Sequence, residues 1–371
     1  MKSVPVSTKL KIKSVTVLPL RIPFSDGSAG VGLVPSKWTH LDIALVRAET
    51  ADGLVGWGEA FAYSCLRATC AAIEDMVAPL VAGREVTDIA ALNLELQQKL
   101  HLHGRYGITM FAISGVDIAL WDLAAKARGV SLARLLGGRE RERIPAYASL
   151  VRYAEPKLVQ GLCERAVELG YRDVKLHEIA LAAIDAGRAG AGTGVRLTTD
   201  VNCNWSRADA ERLLPHMKRL ELFWVEEPIF PPDDAEALAD LQARFGVSIA
   251  SGENACTAIE FARTVPWIAY AQPSVTKVGG ISEFLRVAAL AKAAGKTLMP
   301  HSPYFGPGYW ATLQLEAHLA HTGLFEHLWI EPDAYLSADI PLPRDGFVDV
   351  PDSPGLGFAP DPDVIARFRV R

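Results

Sequence analysis

From Gly138 onward the chain repeats one pattern, in which a short β-rich run is followed by a helical segment. The eight runs are centred near Ala146, Val174, Leu197, Trp224, Ile249, Tyr270, Leu298 and Trp329. Successive centres lie 21 to 31 residues apart, which is about the length of one strand–helix unit. Eight such units in succession predict an α/β fold, a parallel (β/α)8 TIM barrel.

An open, doubly wound parallel sheet is the alternative fold for this alternation. A sheet that binds dinucleotides would carry a G-x-G-x-x-G turn between a strand and the helix that follows it. The glycine-rich candidate, Gly190 to Gly194, precedes a strand and lacks this spacing. The sequence therefore favours the barrel.

The residues before the repeat are organised differently. Lys11 to Leu20 and Leu41 to Glu49 alternate polar and apolar residues, as the strands of a hairpin or meander do. From Cys65 to Leu136 the spacing of apolar residues becomes helical. We therefore expect three parts: an α+β domain at 1–138, the barrel at 139–340 and a C-terminal segment at 341–371. The last segment is expected to pack back on the α+β domain.

Charge and cysteine content exclude several classes of protein. The 38 Lys and Arg against 43 Asp and Glu give a net charge of -5 without a run of like charges, so we expect no nucleic acid or membrane partner. The five cysteines contain no C-x-x-C pair, which fits reduced thiols. The N-terminus does not resemble a signal peptide, and the apolar stretches are too short to span a bilayer. We expect a cytoplasmic protein with a small-molecule partner.

The carboxyl ends of five predicted strands carry ionisable or metal-binding residue types. They are Lys175-Leu176-His177, Asp200-Val201-Asn202, Glu226-Glu227-Pro228, Gly252-Glu253-Asn254 and Pro300-His301-Ser302. In a parallel barrel these ends form the face that carries the active site. Since side chains two residues apart on a strand share a side, Lys175 and His177 face the barrel mouth together. The same holds for Asp200 and Asn202.

Three carboxylates of this set end consecutive strands. Asp200, Glu226 and Glu253 would repel one another unless a cation lay between them. Three oxygen ligands, with positions left for water and substrate, describe a Mg²⁺ site. The alternative is that each is a separate surface acid with a salt-bridge partner of its own, which fits one residue better than three at matching strand ends.

The order of these motifs resembles the enolase superfamily. The resemblance also rests on Trp224-Val225-Glu226-Glu227-Pro228, on Lys277-Val278-Gly279-Gly280-Ile281 and on the helix from Gly115 to Gly138. The chain is most similar to the mandelate racemase and muconate lactonizing enzyme family, and within it to the mandelate racemase subgroup. The resemblance covers nearly the whole chain and implies an α+β capping domain over a modified (β/α)8 barrel.

The resemblance also implies the chemistry of the site. Members bind Mg²⁺ through three strand-end carboxylates, here Asp200, Glu226 and Glu253, and remove the proton α to a substrate carboxylate to give an enediolate. A bound divalent cation stabilises the charge that develops on such a substrate. By the same match Lys175 adds a second positive charge there. Glu331, placed at the end of the eighth strand, matches the family's acidic residue that donates a hydrogen bond to the carboxylate.

Two implications concern the surroundings of the site. The loop from Ser25 to Lys37 resembles in position the mobile loop that covers the substrate in this family. Members of the family are often symmetric oligomers, so the resemblance implies a homo-oligomer.

Two positions depart from the pattern of the subgroup. His177 stands where a second Lys commonly acts as base, and a histidine needs little adjustment to act as a neutral base. A structural or substrate-binding role for His177 is the alternative. Ser274 stands where the subgroup has the Asp that orients the catalytic histidine of the next strand, here His301. Its hydroxyl can bond the ring but cannot offset the charge of the ring.

Three residues are weaker candidates for contact with the substrate: Asn202, Ser274 and Lys277. Lys277 could also replace the missing base. Its strand parity is opposite to that of Ser274, however, and a Lys is common at this position in the family, so the role is disfavoured.

The reaction expected from these residues is dehydration of a sugar acid. His177 or Lys175 would remove the α-proton, and His301 would assist departure of the β-hydroxyl as general acid. A racemase needs two bases flanking one carbon, which Ser274 weakens without excluding. Cycloisomerisation of a lactone or anhydro sugar acid is a third outcome. A non-catalytic relative that binds a carboxylate is the alternative from another class of protein.

Overall fold

The computed structural model describes residues 9–28 and 38–370. The N-terminal unit, called the cap below, combines an antiparallel sheet with helices. Its elements are β1 (Leu10–Ser25), β2 (His40–Thr50), β3 (Val55–Ala60), α1 (Leu66–Ala72), β4 (Glu85–Val86), α2 (Ile89–Lys99), α3 (Ile108–Ala127) and α4 (Leu132–Leu135). β1 pairs antiparallel with β2, and β2 with β3, which confirms the predicted meander.

Helix α3 forms the centre of the cap. Contrary to the expectation from the sequence, α3 is long and apolar enough to cross a membrane. However, 89% of its 18-residue apolar stretch is buried inside the protein, so α3 is a core helix. The helix packs directly on β3, where the backbone of Gly115 contacts Gly58 too closely to admit a side chain. Glycine at position 58 therefore sets the distance between sheet and helix.

The second unit is a parallel sheet of eight strands that curls into a barrel. Its strands are β5 (Arg143–Ser149), β6 (Asp173–Leu176), β7 (Arg196–Asp200), β8 (Val225–Glu226), β9 (Ile249–Ser251), β10 (Tyr270–Ala271), β11 (Thr297–Leu298) and β12 (Phe325–Leu328). Neighbours pair in chain order from β5 to β11, and β12 pairs with β5. A parallel bridge from Leu298 to Thr322, just before β12, closes the ring. The barrel prediction is confirmed.

Two predicted strand centres lie one residue outside their strands. Trp224 immediately precedes β8, and Trp329 immediately follows β12. The first displacement leaves the predicted strand end intact. The second moves the end of the eighth strand three residues ahead of Glu331, which matters for the site described below.

A helix follows each of the first seven barrel strands. These helices are α5 (Pro156–Glu168), α6 (Leu181–Ala191), α7 (Arg207–Arg219), α8 (Ala235–Phe245), α9 (Thr257–Thr264), α10 (Gly280–Ala293) and α11 (Pro307–His318). Local signals set their ends: Ser206 and Asp209 form a reciprocal capping box at the start of α7, and Gly246 ends α8 with a left-handed backbone. The eighth strand is followed instead by β13 (Glu331–Pro332), which pairs with β1 of the cap.

The C-terminal segment contacts both units. β14 (Phe347–Asp349) pairs antiparallel with β5 of the barrel. After α12 (Pro362–Phe368), Arg369 bridges to Leu20 of the cap. The segment therefore joins cap and barrel rather than contacting the cap alone, and the predicted domain limits at 138 and 340 stay a prediction.

Candidate active site

A cavity of about 250 Å³ lies between the cap and the carboxyl ends of the barrel strands. The barrel contributes polar side chains to its wall, namely His177, Asn202, Glu253, Asn254, Lys277, His301 and Glu326. The cap contributes mainly aromatic and aliphatic side chains, among them Trp38, Leu41, Phe61 and Tyr63. A ligand here would meet charge on one side and, on the other, a mostly apolar cover that also holds Asp42 and Glu59. Of the predicted capping loop, residues 29–37 lie outside the described residues.

The three predicted metal ligands come together at the barrel mouth. Asp200, Glu226 and Glu253 each offer one carboxylate oxygen, and these oxygens lie within 4.8 Å of one another. We call these residues the carboxylate triad. Trp224 Nε1 donates to Glu226 Oε2 at 3.1 Å, which orients that carboxylate. The Oδ2 atom of Asp200 is buried and accepts no hydrogen bond from any described residue.

The triad carries more negative charge than its surroundings offset. Burial raises the pKa of Glu226 well above its usual range, and repulsion from Asp200 and Glu253 adds to the effect of burial. Lys175 acts in the opposite direction, with its Nζ 3.1 Å from Glu226 Oε1 and 3.8 Å from Asp200 Oδ2. Lys277 Nζ lies 3.7 Å from Glu253 Oε1. Two ammonium groups do not balance three carboxylates, so the cluster suits a further cation.

Lys175 is a structural cation rather than a residue of the cavity wall. Burial alone would lower the pKa of the Lys175 ammonium, but the charges of Glu226 and Glu326 outweigh that effect and raise this pKa well above its usual value. The side chain is fully buried and does not line the cavity. Lys175 is therefore ion-paired with carboxylates away from the cavity wall, and its role as a base stays a prediction.

The two predicted histidines contact different members of the triad. His177 Nε2 lies 3.4 Å from Asp200 Oδ2, while its Nδ1 lies 2.5 Å from the carbonyl oxygen of Leu150. His301 Nε2 lies 3.0 Å from Glu253 Oε2. In strand order the triad falls between the strands that hold the two histidines, and both rings line the cavity. The site thus offers two imidazoles, one on each flank of the carboxylates.

The predicted position of Glu331 is wrong. Glu331 is exposed, pairs with Ser25 of the cap and lines a different cavity. Its place in the site is taken by Glu326 on β12, whose Oε1 lies 2.8 Å from Lys175 Nζ and whose Oε2 accepts from Ser302 N at 2.8 Å. The reason is strand register. The eighth strand runs from Phe325 to Leu328, so the acid that reaches the barrel interior comes five residues earlier.

The weaker candidates occupy distinct positions. Asn202 lines the cavity and accepts from Arg152 at 3.2 Å. Lys277 Nζ donates to Asn254 Oδ1 at 3.0 Å and lies 4.3 Å from the centre of the Phe61 ring. Contacts of this kind fix the ammonium group of Lys277 at the edge of the cavity.

Ser274 is buried behind His301 and does not line the cavity. Its Oγ is in close contact with the hydroxyl of Tyr304, which in turn lies 3.4 Å from His301 Nδ1. Sequence reasoning missed Tyr304, as it missed Glu326. A glutamate inside the apolar run Leu324 to Ile330 was a usable signal for Glu326, because a buried acid requires a charged partner.

Comparisons with known proteins identify the family. Residues 36–137 match the model described as "Mandelate racemase / muconate lactonizing enzyme, N-terminal domain", and residues 158–364 match "Enolase C-terminal domain-like". The two matches cover most of the chain. The protein therefore belongs to the mandelate racemase and muconate lactonizing enzyme family of the enolase superfamily, as the sequence motifs indicate.

Individual relatives of this chain within the family are named as enzymes that act on sugar acids or their lactones. A D-galactonate dehydratase from Verminephrobacter eiseniae is 33% identical over 293 residues, 74% of this chain and 73% of the relative. A D-galactarolactone cycloisomerase from Agrobacterium fabrum is 30% identical over 349 residues, 88% of this chain and 91% of the relative. Several further relatives are also named sugar-acid dehydratases. These names agree with the dehydratase expected from the sequence and include its cycloisomerase alternative.

A solved structure agrees with the fold over its full length. It is the mandelate racemase/muconate lactonizing protein from Paracoccus denitrificans PD1222, complexed with magnesium. The two chains share 28% of their residues and superimpose with a TM-score of 0.86. The match covers 97% of this chain and 98% of the other.

Proposed function

We propose that this protein is a Mg²⁺-dependent dehydratase of a sugar acid. The observation that carries the proposal is the carboxylate triad with a histidine against each of its outer members. Such a site holds a substrate carboxylate next to a cation and places a proton-transfer group on either flank. The dehydratases among the relatives supply the substrate class.

The residues fit Mg²⁺ by three criteria. All three ligands are carboxylate oxygens, which are the donors that this hard cation prefers. The triad leaves coordination positions open towards the cavity, which Glu253 lines. The buried Asp200 Oδ2 has only long contacts with His177 and Lys175 among the described residues, at 3.4 and 3.8 Å, so it is available to bind a cation. When bound, Mg²⁺ would supply localised positive charge that stabilises an enediolate of the substrate.

His177 is the base in this proposal. It lines the cavity, whereas Lys175 is buried beneath the triad and held as an ammonium ion by Glu226 and Glu326. The Leu150 carbonyl accepts from Nδ1–H of His177 in the tautomer that leaves Nε2 free to take a proton. The ring thus presents its basic nitrogen towards the triad, where the α-carbon of a bound acid would lie.

His301 is the general acid. Its Nε2 is the nitrogen nearest Glu253 and faces the cavity from the strand on the other flank. A protonated Nε2 can donate its proton to the β-hydroxyl as the carbon–oxygen bond breaks. This step releases water and leaves an enol, which becomes a 2-keto-3-deoxy acid. The α-proton and the leaving hydroxyl are handled by different residues, so one turnover needs no exchange of roles.

Cycloisomerisation is the second candidate, because a D-galactarolactone cycloisomerase is among the relatives. Both reactions start with removal of an α-proton, and they differ in the group that leaves. Incubation of the enzyme with sugar acids, their lactones and anhydro acids in D₂O with Mg²⁺, followed by mass spectrometry and proton NMR, separates them. Loss of water with a 2-keto-3-deoxy product supports the dehydratase. An isomeric product, α-deuteration without water loss, or no turnover contradicts it, and EDTA should abolish turnover.

We also infer a cytoplasmic homo-oligomer. All five cysteines are free thiols, which suits a reducing compartment. Large apolar side chains are exposed on the surface: Leu102, Tyr106, Phe230, Ile259 and Trp267. Burial of such residues between copies favours self-association. Light scattering of the purified protein should give a multiple of 40.1 kDa.

A further inference from the structure

We infer that Tyr304 positions the His301 ring for proton donation, and that Ser274 in turn positions Tyr304. This inference rests on the proposed function and deepens it. The Tyr304 hydroxyl contacts Ser274 Oγ on one side and lies 3.4 Å from His301 Nδ1 on the other. These three side chains therefore form a chain of polar contacts that leads to the nitrogen facing away from the triad.

The geometry separates the two nitrogens of His301. Nε2 lies 3.0 Å from Glu253 Oε2, at the cavity, while Nδ1 lies nearest the Tyr304 hydroxyl. A histidine that gives up its proton at Nε2 must keep the proton at Nδ1, and a fixed acceptor at Nδ1 secures this tautomer. The phenolic oxygen of Tyr304 is that acceptor when its own hydroxyl donates to Ser274 Oγ.

Packing holds the tyrosine in this position. Tyr304 is buried, and its ring meets the edge of the His301 ring at 83° with the centroids 6.0 Å apart. Burial raises the pKa of the phenol above its usual value, so the hydroxyl keeps its proton. A protonated hydroxyl can accept from Nδ1–H and donate to Ser274 at the same time.

The hydroxyl groups of Ser274 and Tyr304 supply one of the two effects that a carboxylate would have on His301. An Asp at position 274 would orient the ring of His301 and also bring a negative charge next to it. Ser274 and Tyr304 orient the ring without that charge. Tyr304 also lines the cavity, but its hydroxyl contacts Ser274 and His301. Removal of this hydroxyl should thus affect the proton transfer of His301 and leave substrate binding intact.

Tyr304→Phe tests the inference, with Tyr309→Phe as a matched control. Tyr309 is equally buried, but its hydroxyl donates to the Pro341 carbonyl oxygen at 2.8 Å and is absent from the cavity wall. For Tyr304→Phe we expect kcat of dehydration to fall about 10- to 100-fold, as for other groups that orient a catalytic ligand, with KM unchanged. Exchange of the substrate α-proton with D₂O should persist. Tyr309→Phe should change none of these.

Ser274→Ala tests whether Ser274 acts on His301 through Tyr304. Because Ser274 acts through Tyr304, the double variant should be no slower than Tyr304→Phe alone. Full kcat in Tyr304→Phe, a parallel loss of α-proton exchange, or multiplicative effects of the two substitutions would overturn the inference.

Nitrogen-15 NMR of the histidine rings gives a readout that does not depend on turnover, with His301→Asn used to assign the signal. In the wild type loaded with Mg²⁺, where Glu253 binds the cation rather than the ring, the neutral ring of His301 should carry its proton on Nδ1, and Tyr304→Phe should lose this preference. An identical tautomer in both proteins overturns the inference even where a substrate is turned over. A protein that turns over no acid yet shows the tautomer shift would instead contradict the proposed function alone.

Discussion

Lys175 Nζ lies 2.8 Å from Glu326 Oε1, and neither side chain is more than 1% exposed. The contact joins β6 to β12, which are separated by β5 in the barrel wall. It places a third carboxylate beside the ammonium group, which already contacts Glu226 and Asp200. Lys175 therefore links the triad to the eighth strand, and the ion pair of Lys175 and Glu326 lies buried at the bottom of the site.

Glu326→Gln should lower activity strongly, whereas Glu331→Gln should not. Glu326→Gln leaves the buried Lys175 ammonium with one negative charge fewer beside it, which disturbs the group that contacts the triad. We expect kcat/KM to fall by about 100-fold or more, as when one partner of a buried ion pair is removed. Glu331 is exposed and pairs with the cap, so its variant should stay within twofold of the wild type.

Steady-state kinetics of both variants, with melting temperatures to confirm that they fold, provides the measurement. Loss of activity in Glu331→Gln with full activity in Glu326→Gln would reverse the assignment made from the register of β12.

Glu226→Gln should weaken Mg²⁺ binding. The substitution keeps the size of the side chain and the bond from Trp224, but removes one of the three charges that favour a divalent cation. Calorimetric titration with Mg²⁺ should show an affinity at least about tenfold lower than that of the wild type, a loss typical of altered metal sites. Glu236→Gln, an exposed change in α8, is the control and should bind like the wild type. Equal affinity in all three proteins would contradict the metal assignment.

Stability should fall between acidic and neutral pH because of a buried acid between cap and barrel. Asp117 of α3 accepts from Ser282 N at 3.0 Å and from Asn93 Nδ2 at 2.8 Å. Burial raises the pKa of the Asp117 carboxyl from 3.8 to about 7. The unfolded chain thus releases this proton at lower pH than the folded protein does, and stability is lost as the pH rises from 3.8 to about 7.

Asp117→Asn should remove that part of the pH dependence. Its free energy of unfolding should fall less than that of the wild type across this interval, by an amount on the order of a few kcal/mol. Urea unfolding at several pH values measures the difference. Asp88→Asn is the control, because Asp88 is a partly exposed N-cap of α2 and Asn caps a helix equally well. Parallel pH profiles for wild type and Asp117→Asn would refute the role of Asp117.

The sequence was sufficient where strand ends coincide with local signals. Asp200, Glu226 and Glu253 each follow a short β-rich run, and alternation along a strand decides which side each faces. Glu326 escaped because apolar residues continue on both sides of it, from Leu324 to Ile330, so the pattern does not fix where the strand ends. The predicted end of the strand lies three residues too late, so Glu331 was assigned in place of Glu326.

The sequence did not predict Tyr304 as a site residue for a different reason. Its partner Ser274 lies thirty residues earlier, in the segment after β10, and the two meet only because the loops after β10 and β11 fold next to each other. No periodicity links such positions. Contacts between loops of neighbouring strands depend on tertiary packing, which a single sequence does not specify.

The assignment of His177 as the base and His301 as the general acid is tested most directly with His301→Asn in D₂O. The measurement follows the α-proton of the substrate by proton NMR, together with formation of the 2-keto-3-deoxy acid. With His177 as base and His301 as acid, the variant should still replace the α-proton with deuterium while forming no product. Loss of exchange together with loss of product, alongside exchange that persists in His177→Asn, would contradict the account.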